Sequence, residues 1–170
     1  PSVVGQSVNV QVTVTGNLTA PADGSVTVIA STGESCTDSS ASAGTGNEAL
    51  FSCALQFNSV GARDLTAGFA GSSSHADSTS PINTHEVQAL PTLSITDVSQ
   101  LEGSGGTSNL VFTISRSHNL NDLSVEISTA NGSAAAGSDF TAINASNQNF
   151  AAGGATSASV SVSLNTDSVV

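Results

Sequence analysis

The chain reads as an all-β protein, with antiparallel β-sandwiches in tandem, and three features lead there. Apolar residues return at every second position in run after run, which turns one face of an extended segment inward and the other into water. Clusters of Gly, Pro, Asn, Asp and Ser separate those runs. The composition suits pleated strands: Ser and Thr make up 49 of the 170 residues, Met, Trp and Tyr are absent, and six Phe carry all the aromatic bulk. A helical protein would draw more on Leu, Glu and Lys. Low-complexity disorder is the competing reading of so much Ser and Gly, and the regular alternation speaks against it.

Taken in order, the first strand is the clearest, with Val8, Val10, Val12 and Val14 alternating with Asn9, Gln11, Thr13 and Thr15. The same period appears at Val26 and Val28, then at Leu65, Ala67 and Phe69, then at Leu93 and Ile95. It continues at Leu110, Phe112 and Ile114, at Val125 and Ile127, and at Val160, Val162 and Leu164. Turns are expected at Pro21-Ala22-Asp23-Gly24, Gly103-Ser104-Gly105-Gly106 and Ala152-Gly153-Gly154. About ten short strands with no convincing helical stretch make a sandwich the expected form. A strand-like run ends at Val87, and Pro91, which cannot donate to a ladder, precedes the next run from Leu93. The expected organisation is therefore one domain over residues 1–88, a linker over 89–91 and a second domain over 92–170.

Thirteen Asp and Glu stand against Arg63, Arg116 and no Lys, a formal charge of −11. Phosphate binding needs clustered cations, so nucleic acid is not an expected partner, and adhesion to anionic lipid is disfavoured for the same reason. Such one-sided acidity keeps a protein soluble and can favour divalent cations. No run approaches the roughly 18 consecutive apolar residues of a membrane span. Nor is there a basic-then-apolar start, so any secretion signal is expected outside these residues.

Cys36 and Cys53 both fall in the first domain. Their even number in a Lys-free, strand-rich chain suggests a disulfide, worth about 3 kcal/mol for a loop of this length, and hence an oxidising compartment. Two buried reduced thiols are the alternative.

Three stretches of the first domain carry a family resemblance: Pro1-Ser2-Val3-Val4-Gly5-Gln6-Ser7-Val8, Gly24-Ser25-Val26-Thr27-Val28, and the run from Val60-Gly61-Ala62-Arg63-Asp64-Leu65 through Phe69-Ala70-Gly71. Residues 1–88 resemble the bacterial immunoglobulin-like repeat of large surface proteins. Members of that family often place cysteines where Cys36 and Cys53 stand. In the second domain, Leu93-Ser94-Ile95-Thr96-Asp97-Val98, then Glu102-Gly103, then Thr129-Ala130-Asn131-Gly132 leading to Gly137-Ser138-Asp139-Phe140 make residues 91–170 similar to a Calx-beta domain. The resemblance implies two immunoglobulin-like sandwiches, each lacking strands at a chain end. Either the chain is a window on a longer repeat protein or a neighbour supplies the strands by complementation.

Resemblance to Calx-beta also implies calcium, with Glu102 and Asp139 at ligand positions and Asp167 the one charged residue of the next acidic cluster, near Asn165 and Thr166. Calcium needs six to eight oxygens, so the alternative keeps Glu102 and Asp139 as solvated turn residues, Asp139 bonding its own backbone amides. His75, His85 and His118 show no ligand spacing. Gly71-Ser72-Ser73-Ser74-His75 lacks the second Gly of a nucleophile elbow. Gly44-Thr45-Gly46 and the glycines near 105 lack the Lys and helix of a phosphate loop. The sequons at Asn17, Asn131 and Asn144 matter only where secreted proteins are glycosylated.

The expected function is that of a non-catalytic structural module of an extracellular bacterial surface protein: a stalk, an adhesin or a filament subunit assembling by strand complementation. Its partners would be other copies of itself or neighbouring repeats. The alternative is a calcium- or glycan-binding accessory module of a larger secreted protein or enzyme.

Overall fold

The computed structural model describes residues 1–100 and 107–165. Every regular element among them is a β-strand, as the alternation predicts. The chain divides into two compact units, Pro1–Leu90 and Pro91–Val170.

The first unit holds β1 (Ser2–Val3), β2 (Ser7–Thr15), β3 (Ser25–Ala30), β4 (Ser35–Asp38), β5 (Ser42–Ala43), β6 (Glu48–Gln56), β7 (Gly61–Ala70), β8 (Ser78–Thr79) and β9 (Asn83–Gln88). One sheet runs β1-β9-β7-β3-β4, with β8 also paired to β7, and the other runs β2-β6-β5. Most pairs are antiparallel, with β2 on β6 from Ser7 opposite Gln56 to Thr15 opposite Glu48. The exception is β1, which lies parallel to β9 with Ser2 opposite Val87. Between the sheets lie Val26, Val28, Phe51, Leu55, Phe57, Leu65, Phe69 and Val87, all buried. Gly24 is required where β3 begins, because a Cβ there would sit 2.2 Å from the Phe69 ring.

The Val row of β2 departs from expectation. Val8, Val10, Val12 and Val14 face the core yet remain half-buried. β2 is the last strand of its sheet, so the inner side of this row has neighbours on one flank only.

The second unit holds β10 (Leu93–Ile95), β11 (Thr107–Arg116), β12 (Leu123–Ile127), β13 (Ser146–Phe150) and β14 (Ser157–Asn165). Its sheets are β10-β11-β14 and the pair β12-β13. Ile114, Phe140, Phe150 and Val162 are buried. Leu93 and Ile95, expected to turn inward, are exposed at 44% and 60%. They border an open apolar hollow with Ile114, Val125 and Ile127, because β10 is only three residues long and no described strand covers it. The expected turn at residues 103–106 lies outside the described residues.

Candidate functional site

Cys36 sits on β4 of the larger sheet and Cys53 on β6 of the smaller one, and the two are joined by a disulfide. Their Cα atoms are 5.8 Å apart, ordinary for a disulfide. Of the two readings open to the sequence, the bonded one is the observed one, and the bond ties one sheet to the other across the sandwich. Two residues on, Asp38 reinforces the tie by accepting hydrogen bonds from the Ser52 amide at 2.7 Å and the Ser40 amide at 2.8 Å. β5 is too short to pair with Ser52, so this carboxylate covers a stretch of β6 edge that would otherwise be open. The Ser52 bond first, then the Ser40 bond, hold the Asp38 carboxyl below its ordinary 3.8. Such bonds favour the ionised form. A bond of this kind persists in an oxidising compartment.

Both arginines are buried, each 4% exposed. Arg116, the last residue of β11, donates from Nε to Ala155 O at 3.1 Å, from Nη1 to Asn121 O at 2.8 Å and from Nη2 to Ala151 O at 2.6 Å. Its guanidinium also lies 5.2 Å from the Phe150 ring centre. Arg63 on β7 donates to Ser59 O and Oγ, both at 2.7 Å, and to Ala62 O at 3.0 Å, above Phe57. Both cations of the chain are thus committed to internal carbonyls. With no Lys in the sequence, the protein's outer surface carries acidic side chains and histidine but no Lys or Arg.

The residues implied as calcium ligands divide. Glu102 and Asp167 lie outside the described residues. Asp139 lies in the turn before Phe140, where its Oδ2 accepts from the Ala135 amide at 2.6 Å and its own amide donates to Ala135 O at 2.9 Å. Asn131 accepts from the Ala136 amide, and Asn165 donates from Nδ2 to Gly137 O at 3.1 Å. One oxygen of Asp139 thus serves the turn's own backbone. Among the described residues no group of three or more His, Cys, Asp or Glu converges as a metal site.

His85 on β9 is the titratable group with the most telling surroundings. Its Nε2 lies 2.9 Å from Ser2 Oγ, and its ring stacks on Phe57 with centres 5.7 Å apart. Burial pushes the imidazole below its ordinary 6.5. The unfolded chain therefore takes up the proton first, so this stability is complete above about pH 6.5 and is lost as pH falls from there through the lower folded value. Thermal melting from pH 8 to pH 5 is expected to show a declining transition temperature below about pH 6.5, and His85→Gln is expected to flatten that part of the decline. An unchanged slope in the variant would remove His85 as its source.

Sequence reasoning missed the arginines as internal anchors, and it expected an open edge from a missing strand without placing that edge on β2. That edge left a trace in the sequence, since β2 is a nine-residue strand without charge or Pro.

No helix among the described residues is long and apolar enough to cross a membrane. Comparison with protein-family models, curated proteins and solved structures finds no match in any of the three.

Proposed function

We propose that the chain is a non-catalytic structural segment of an extracellular bacterial surface protein, with β-sandwich units serving to space and hold rather than to react. The observation that carries this reading is the covalent tie between the two sheets of the first unit, Cys36 to Cys53. Such a bond limits how far the unit can open and suits exposure outside the reducing cytosol. Two further features support it. β1 and β9 run parallel side by side, and Val4 N–H donates to Gln88 O at 2.9 Å. Tension applied through the two ends of this unit therefore shears those hydrogen bonds together instead of opening them one at a time. The surface, free of Lys and Arg, resists nonspecific attachment. The resemblances to bacterial immunoglobulin-like and Calx-beta domains point the same way.

Single-molecule pulling on the full chain tests the reading. Discrete, force-resisting unfolding events are expected, and the length released by the first unit should grow by about 60 Å on adding reductant, as the 17-residue loop is freed. Smooth extension without discrete events would overturn it.

A further inference from the structure

We infer that Asn131-Gly132, in the loop between β12 and β13, is a self-modifying site. In the folded protein its side-chain carboxamide closes onto the next backbone nitrogen and is converted, with water as the only co-reactant, into aspartate and isoaspartate. The inference goes beyond the structural role proposed above and does not depend on it.

Asn131 is the one Asn of the chain that is followed by Gly. A residue without Cβ leaves its own nitrogen open to approach and its dihedrals free to bring that nitrogen onto the preceding side chain. The fold does not ask for a glycine at this place. A Cβ on Gly132 would meet nothing within 4 Å, and its φ lies outside the left-handed region, whereas Gly137 in the same loop has a φ of +93°. Neither packing nor backbone conformation accounts for Gly132. What it supplies is an uncrowded amide beside Asn131.

The loop presents the carboxamide for attack. Asn131 Oδ1 accepts a hydrogen bond from the Ala136 amide at 2.8 Å. That donor draws electron density from Cγ and faces the oxygen on which negative charge develops as a nucleophile adds, the arrangement of an oxyanion hole. The nucleophile, Gly132 N, donates to Ala134 O at 3.0 Å. Residues 131–134 are exposed, so this bond opens to water without disturbing the core.

The same loop has room for the product. At its base the Thr129 amide donates to Ile143 O at 2.9 Å and the Ile143 amide donates to Thr129 Oγ1 at 3.0 Å. Further on, Phe140 is buried and bridges Ala136 and Leu164. Residues 131–134 lie between those fastenings, so a change of backbone length there leaves the β12–β13 ladder intact.

In the first step Gly132 N bonds to Asn131 Cγ and the Cγ–Nδ2 bond breaks. The amide proton passes through water to the departing nitrogen, ammonia leaves, and a cyclic succinimide remains. Water then adds to one of the two ring carbonyls. Addition at Cγ breaks the new Cγ–N bond and gives aspartate. Addition at the backbone carbonyl breaks the original peptide bond and gives isoaspartate, whose main chain runs through Cβ and Cγ. Ammonia is lost, water is gained, and either product adds a negative charge to the formal −11.

The test incubates the folded full chain, and the same chain unfolded in guanidinium chloride, at mildly alkaline pH, with mass spectrometry of peptides cut at acidic pH. In the folded chain, replacement of NH2 by OH is expected at Asn131 ahead of every other Asn, at a rate at least equal to that of the unfolded chain. The product should accept methyl groups from an isoaspartate methyltransferase. Gly132→Ala is expected to slow the reaction about tenfold, because the Cβ crowds the attacking nitrogen, while the melting temperature stays that of the wild type. A folded chain that reacts more slowly than the unfolded one would overturn the inference, as would a rate indifferent to Gly132→Ala or modification spread over several Asn. So would a product free of isoaspartate, which direct hydrolysis of the carboxamide would give.

Discussion

Replacing Arg116 with Met is expected to destabilise the second unit by about 2–4 kcal/mol, because several hydrogen bonds from a buried charged donor are lost together. The reason is convergence. The guanidinium satisfies the carbonyls of Asn121, Ala151 and Ala155, which come from two loops. The same loops are knitted by Asn119 to Gly154 O and by the Ala152 amide to Asp122. Met fills much of the volume but donates nothing, so three carbonyls lose their partner together. A unit of this size has about 4–12 kcal/mol in total, so the loss is a large share of its stability. Arg116→Lys should recover little, because one ammonium cannot span three divergent acceptors. Arg63→Met should cost less, about 1–2 kcal/mol, since its acceptors lie within four residues along the chain. Hydrogen exchange resolved by peptide across a urea series would read each unit separately. An unshifted second-unit midpoint in Arg116→Met would sink the argument for this anchor.

The double replacement Cys36→Ala/Cys53→Ala is expected to destabilise the first unit by about 3 kcal/mol, the loop-closure cost for 17 residues. The second unit contains no cysteine and its urea midpoint should not move. Asp38 gives the effect a second signature. Its bond to the Ser52 amide spans the same two sheets, so Asp38→Asn should cost more in the cysteine-free background than in the bonded one. That coupling is read by a double-mutant cycle, and additive costs would mean that the two ties act independently. Asp38 is half-buried, and its contribution is present above about pH 3.8 and lost as pH falls through its depressed folded value.

Much of the fold was legible because strand periodicity is local. Val8 to Val14, Leu110 to Ile114 and Val160 to Leu164 all declare their strands by alternation, and β2, β11 and β14 stand there. The cysteines suggested a bond by number and setting. Alternation fails to say whether an inward face meets anything. Leu93 and Ile95 carry the same pattern as Val26 and Val28, yet the first pair is exposed and the second buried. β3 lies between β7 and β4, whereas β10 is a short edge strand.

The sequence by itself determined the all-β class, the acidic character of the chain and the strands in which its residues alternate, because each depends on composition or on neighbours two residues apart. Only the tertiary structure decided that Cys36 and Cys53 bridge opposite sheets, that both arginines turn inward to gather carbonyls, and that β2 stands last in its sheet. Those outcomes depend on which distant strands become neighbours. Arg116 meets Ala155 across 39 residues, and β1 meets β9 across most of the first unit. No local pattern encodes such pairings, since they arise from the combined demand to bury apolar faces and satisfy backbone groups at once.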